Sequence, residues 1–451
     1  MNSSNRIASS THTRISVRSP AGARQVAMDW AYELRPILLK AALLAMILLS
    51  VIFLGYEFWR LVFETADNPL STEVNAVDLK QRYVEVRRWF SVPKSFDFSL
   101  LTYQPASYLM LWPLLGWGPL AAVRWLWALT SIALLVWLGR IIASESQAST
   151  RLEKWLIVLV PISMYATGAT IGNGQLIIHL LTPMLAGLLI LKKRPVSFKN
   201  DLLASSFILF SLVKSSIGVP FFWIAIFMPR RMRPAILVVS AYVMLTVLSF
   251  MLLKAPMEID AKLLDNISQV AASSVEWGNE VRVADLPTWL HHLGMDRWML
   301  PFSFLFVGLL GLWVWRHNTS DFWIICGVAG IWARFLTYHR WYDDLLLLPA
   351  MLALFRLAKC DRTFRTRLFA GVLFALMIPA MIAPGTLYLF YPPWNLYLEV
   401  LKSILWGVVL VYLMIRANES DLLAANKQHG VTESLQPSND IPAETESMYG
   451  S

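Results

Sequence analysis

The chain has 451 residues, 57% of them hydrophobic and 15% charged, with 39 Lys and Arg against 30 Asp and Glu for a net charge of +9. Soluble domains carry about a quarter charged residues, so this composition excludes an ordinary water-soluble protein, and its basic excess marks cytoplasmic loops rather than nucleic-acid binding. Two cysteines, Cys326 in an apolar run and Cys360 in a basic stretch, offer neither a disulfide framework nor metal-ligand spacing.

In chain order, residues 1–28 are rich in Ser and Arg and lack apolar periodicity, as do 417–451, so both are expected as disordered tails around one transmembrane domain at 29–416. The run ALLAMILLSVIFLGYEF lacks a small-residue cleavage site and reads as a retained first span. Further spans are expected near 119–141, 154–171, 175–191, 202–215, 216–229, 234–253, 300–315, 321–337, 343–357, 368–386 and 395–415. Their runs are continuously apolar and of bilayer length, which fits helices and not a barrel of short alternating strands.

The loops KKRPVSFK (192–199), RRMR (230–233) and RLAKCDRTFRTR (356–367) are basic and therefore cytoplasmic. Residues 202–229, flanked by two of them, must go out and return, turning near Lys214 as a broken hairpin. The fold class expected is an all-α polytopic bundle of about twelve transmembrane helices, with both termini inside and large outer loops at 64–104 and 254–299.

Five polar clusters fall at the outer ends of these spans. In VDLKQRYVEVRRWF (77–90), Asp78 opens a segment with helical spacing of Tyr83, Val86 and Phe90; it is either a carboxylate base at the membrane surface or a solvated acid paired with Arg82 at i,i+4. LTYQPASYLMLWPLLGWGPL (101–120), with Tyr103 and Gln104, is too interrupted by proline for one straight span and reads as a lipid-chain groove or an interfacial anchor. GATIGNGQLIIHLL (168–181) sets Asn173 and Gln175 among glycines, either for close approach to sugar or phosphate oxygens or for a tight helix–helix turn.

Lys214, between two apolar arms, must snorkel or find an anion, and a donor phosphate would serve. TYHRWYDD (337–344) puts His339 and Asp343 at i,i+4 with Arg334 and Arg340 nearby, a set suited to phosphate and hydroxyl recognition or to an interfacial salt-bridge cap. Neither a HExxH pattern nor a carboxylate-rich ligand set points to a metal.

These stretches, in this order, resemble glycosyltransferase family 87: VDLKQRYVEVRRWF, LTYQPASYLMLWPLLGW, GNGQLIIHLL, FSLVKSSIGVPF and YHRWYDDLLLLPAML, spread over about residues 40–415. The chain departs from the family's pattern at Gln104, where a second Pro is usual, and at Ser215, where Lys-Pro is usual.

The resemblance implies a GT-C-type mannosyltransferase of the cell (inner) membrane, acting on its extracytoplasmic face with inversion. Asp78 would be the base and a polyprenyl-phosphate sugar the donor. Arg82, Tyr103, Gln104, Asn173, Gln175, Lys214, Arg334, His339, Arg340 and Asp343 would bind donor or acceptor. The partners expected are membrane lipids, the lipid-linked sugar and a glycolipid or glycan acceptor, with no nucleic acid, no metal and no cofactor beyond the donor. Should Asp78 not be the base, the outer-loop acids Glu73, Glu85 and Asp97 are the next choices. The alternative is a transporter or flippase of lipid-linked sugars, against which stand the absence of similar halves and the acid-bearing first outer loop. A structural scaffold leaves Lys214 and TYHRWYDD without a purpose.

Overall fold

A chain in hydrocarbon must satisfy its backbone internally, and the apolar runs duly form helices. The computed structural model describes residues 20–63, 76–91, 103–229, 231–253, 285–336, 339–385, 389–391 and 393–434, with side chains from Ile37 to Glu419 apart from Asp296 and Leu336. Among them are sixteen α-helices, two 3-10 segments (Asp296–Trp298, Trp341–Leu347) and no strand, only an isolated bridge between Met164 and Ile382. The helices are α1 (Pro20–Phe63), α2 (Val77–Ser91), α3 (Pro105–Leu115), α4 (Leu120–Glu145), α5 (Arg151–Ser163), α6 (Tyr165–Asn173), α7 (Ile177–Lys193) and α8 (Phe198–Ser211). They continue as α9 (Ser215–Ile226), α10 (Met232–Met251), α11 (Leu286–His292), α12 (Met299–Arg316), α13 (Phe322–Leu336), α14 (Leu348–Cys360), α15 (Phe364–Met381) and α16 (Trp394–Ser434).

Among the described residues, six helical stretches are alone long and apolar enough to cross a membrane: Ile37–Phe63, α4, α10, α12, α15 and Trp394–Glu419. The pair α6 and α7, bent by 117°, makes a seventh candidate. The remaining expected spans are shorter helices. The long ones leave apolar side chains uncovered, with Val51 at 68% and Ile52 at 70% exposure, the surface that lipid covers in a membrane protein.

Both expected tails need correction. Residues 20–28 belong to α1 and 417–434 to α16, because good helix formers such as those in DLLAANKQ carry a helix past the end of its apolar run. Residues 1–19 and 435–451 lie outside the described residues.

Polar contacts group the helix ends into two sets. At one end Lys193 pairs with Glu145, Arg356 with Asp321 at 3.2 Å, Lys359 with Glu153 at 2.9 Å, Arg233 with Asp201 at 3.4 Å, and Arg416 with Asp361. This is the end where the basic loops converge. At the other, Ala76 N–H reaches Gly172 O at 3.2 Å, Trp89 Nε1–H reaches Ser249 O at 3.1 Å, and Lys214 meets Asp343. Asp78 lies at this second end.

Three breaks shape that end. The span expected at 154–171 is split at Met164, after Pro161, where the 382–385 segment docks through Ala383 N–H to Ser163 O at 2.8 Å. Between α6 and α7 the turn is made by Gly174 at φ +68°. The expected hairpin at 202–229 breaks at Leu212–Lys214, and its loose carbonyl at Val213 is taken by Ser107 Oγ at 2.8 Å. Such a satisfied break is what a buried non-helical backbone requires.

Candidate active site

Asp78 stands in the first turn of α2, and α2 is laid directly on the α6–α7 turn. A Cβ at Gly174 would collide with the Leu79 side chain, and one at Gly172 with the Glu57 carboxylate of the buried Glu57–Arg60 pair. The glycines of GNGQ therefore serve helix packing rather than ligand approach. Their effect is to bring the next residue, Gln175, under Asp78, to which its amide donates a side-chain hydrogen bond. Asn173, half-buried at the end of α6, shares the turn.

The buried face of α2 is Leu79, Arg82, Glu85, Val86 and Trp89, a helical stripe rotated from the expected Tyr83, Val86 and Phe90. Trp89 anchors it by stacking on Tyr108 with centroids 5.0 Å apart. Arg82 pairs with Glu85 at 2.5 Å and lies 4.4 Å over the Tyr103 ring, so the surface pair of Asp78 and Arg82 weighed from the sequence is not its main engagement. Glu85, held by Arg82 and by Gln81 at 3.1 Å, is a structural acid. Glu73 and Asp97 lie outside the described residues.

Asp78 is half-buried, and its surroundings are charged. Burial pushes its carboxyl above the ordinary carboxylate value, opposed by the Gln175 hydrogen bond and by the nearby Arg82, Arg340 and Lys214 charges. Tyr103 in turn feels the charges of Arg82, Lys214, Asp78 and Asp343. Residues from α2, the stretch just before α3, the α6–α7 turn, the α8–α9 break and the segment after α13 thus form one charged cluster.

Lys214 caps α9 and gives hydrogen bonds to Asp343 Oδ1 at 3.0 Å and Oδ2 at 2.8 Å. An ammonium has three hydrogens, so one remains for a ligand. His339 is 1% exposed, with Nδ1 2.9 Å from Asp343 Oδ2. Burial keeps the ring below the ordinary imidazole value, against the pull of Asp343. With its Nδ1 proton donated to Asp343, a neutral ring presents Nε2 as an acceptor, and Nε2 has no hydrogen-bond partner among the described residues. Nε2 is itself buried, so what His339 engages in this geometry is Asp343 rather than the donor or acceptor expected from the sequence.

Arg334 departs from its expected role. It is turned to Asp344 and lies 5.4 Å over the Trp406 ring. Asp344 also accepts from Tyr165, whose oxygen accepts from Lys402 at 3.2 Å, and Lys402 pairs with Glu399 at 2.6 Å. The two aspartates part company because successive residues of a 3-10 helix differ by a third of a turn. Asp343 faces Lys214 and His339, and Asp344 faces the buried network behind them. That second network was missed from the sequence, although Lys402 within LYLEVLKSILWG carries the same intramembrane-charge signal as Lys214. Tyr165 carried no signal. Gln104, exposed next to Tyr103, donates from Nε2 to Ser215 Oγ at 2.9 Å, so the two positions that depart from the family pattern are each other's partners. No three His, Cys, Asp or Glu side chains among the described residues are placed to share a metal ion.

A family model described as glycosyltransferase family 87 matches residues 101–328, just over half of the chain. The chain belongs to glycosyltransferase family 87. No curated protein and no solved structure matches it. The matched stretch carries Tyr103, Gln104, Asn173, Gln175 and Lys214 of this membrane glycosyltransferase, while Asp78 and the 339–344 segment lie to either side of it. Their place in the charged cluster rests on the geometry above.

Proposed function

We propose that the enzyme moves a hexose, mannose in the first instance, from a polyprenyl-phosphate donor to a lipid or glycan acceptor on the extracytoplasmic face, with inversion. Asp78 takes the proton of the acceptor hydroxyl as that oxygen attacks the anomeric carbon. The bond from that carbon to the phosphate oxygen breaks, and the polyprenyl phosphate leaves with the electron pair. Lys214, through its remaining hydrogen, and Arg340 stabilise the growing negative charge. His339 holds the Asp343 carboxylate that orients Lys214.

The observation that carries this reading is a half-buried carboxylate set among Arg82, Arg340 and Lys214, the charge pattern needed by a base beside an anionic leaving group. Glu85 is the poorer base because its oxygens are already engaged. The extracytoplasmic side is supported by the basic loops gathering at the opposite end.

Purified protein given radiolabelled polyprenyl-phosphate hexose and candidate acceptors should transfer label, and the product's anomeric configuration should be opposite to the donor's. A product retaining the donor's configuration would remove the single-displacement mechanism. Label transferred by an Asp78→Asn variant at the unaltered rate would remove Asp78 as the base.

A further inference from the structure

The basic end of the bundle, away from Asp78, holds two adjoining cavities. One, of about 210 Å³, is a crevice between α9 and α12 walled by Ile224, Phe227, Met228, Val314, Phe322 and Ile325. Its roof is tight: a Cβ at Gly311 of α12 would stand 2.7 Å from Trp223 Cε2, one turn before Phe227, on which Trp223 stacks. The neighbouring cavity, of about 440 Å³, is polar, with Glu145, Lys192, Lys193, Asp321 and Arg356 in its wall. Lys192, Thr319, Ser320 and Phe322 line both, so the apolar crevice and the polar bowl join beside the Lys192 side chain.

The charges in the bowl do not cancel. Lys193 pairs with Glu145 and Arg356 with Asp321. Lys192 is the surplus cation, with no ion-pair or hydrogen-bond partner among the described residues. Exposed Arg194 and Arg316 on the neighbouring helix ends add to the positive field. An unpaired ammonium where a polar bowl meets an apolar crevice has the form that an amphiphile with an anionic head fills.

We propose that this double cavity binds an anionic phospholipid, with a hydrocarbon tail between α9 and α12 and the phosphate on Lys192. The apolar crevice favours a lipid over a free anion, and the surplus cation favours an anionic head over a zwitterionic one. Basic pockets between transmembrane helices at the cytoplasmic surface recognise such headgroups. The site is independent of the sugar chemistry, because it lies at the other end of α7 from Gln175, about 25 Å of helix away.

The test uses the full chain, delipidated in neutral detergent and titrated with phosphatidylglycerol or phosphatidylcholine, with bound lipid counted by native mass spectrometry. Phosphatidylglycerol should bind about fivefold more tightly, the effect of one near-surface cation. Lys192→Glu should abolish that preference and Lys192→Arg preserve it, with Lys192→Met as a second neutralising variant should Lys192→Glu unfold. Phosphatidylglycerol carrying brominated tails should quench Trp223 fluorescence, read as the difference from Trp223→Phe. Equal affinity for the two lipids, a preference that survives both neutralising variants, or no quenching of Trp223 overturns the proposal. Full displacement of the lipid by millimolar inorganic phosphate also overturns it, in favour of a free-anion site.

Discussion

Lys214 answers for two partners, and this changes what its removal would do. From the sequence alone Lys214→Met should weaken donor binding in a well-folded protein, yet the ammonium also neutralises Asp343, which is 1% exposed. Removing one member of a buried pair costs about 3–5 kcal/mol, so Lys214→Met should melt lower in detergent as well as bind donor less. The double variant Lys214→Met/Asp343→Asn should regain much of the melting temperature without regaining donor affinity; recovery of both would make Lys214 purely structural. Asp78 makes a pH prediction. Its raised pKa means that the base is protonated, and transfer lost, as pH falls through a value above the ordinary carboxylate value of about 4. The acid limb of kcat/KM should therefore lie above that value and vanish with the residual rate of Asp78→Asn. For folding the sign is opposite: the same raised pKa favours the folded state below the ordinary value, and that contribution is lost as pH rises. Asp78, Lys214 and the His339–Asp343 spacing were legible as charges at span ends. The partner of Arg334 was not, since which of two adjacent aspartates faces it depends on a helix type that periodicity does not reveal.

At the scale of elements, the α6–α7 turn sets where α2 rests. Gly174 combines a φ of +68° with a Cβ position blocked by Leu79, so Gly174→Ala should both strain the turn and lift the first turn of α2. Transfer should fall sharply while donor binding through Lys214 falls less. Shrinking the obstacle in Gly174→Ala/Leu79→Ala should restore part of the rate; no rescue would leave backbone strain as the whole effect. The capping box of α5, where Thr150 accepts from Glu153 N–H at 3.2 Å, lies at the basic end. Thr150→Ala should cost about 1 kcal/mol of stability and leave transfer untouched, a comparison that separates general destabilisation from damage to the Asp78 cluster. Most spans were legible because an unbroken apolar run of bilayer length has few alternatives to helix. The break at Met164 was hidden because Pro161 is tolerated within an apolar helix and the segment that docks there comes from residues 382–385, far away in sequence.

For the whole molecule, the two sets of helix ends predict a sidedness. With exposed Cys360 replaced and buried Cys326 kept, cysteines placed at 192–200 should resist a membrane-impermeant reagent added from outside, while those in the outer loop expected at 254–299 should react. The reverse pattern would invert the bundle and move the Asp78 cluster to the cytoplasm. The alternation of basic and mixed loops is what the sequence offers for this orientation, whereas the convergence of four other segments on Asp78 and α2 depends on three-dimensional packing. One consequence lies in the Trp341–Leu347 turn. It aims adjacent carboxylates at separate networks by a rotation of a third of a turn per residue, so its length is constrained more tightly than its composition. Gaining or losing one residue there would exchange the two acids' surroundings at a stroke, leaving Lys214 facing the wrong neighbour. Related chains should therefore keep the length of these seven residues.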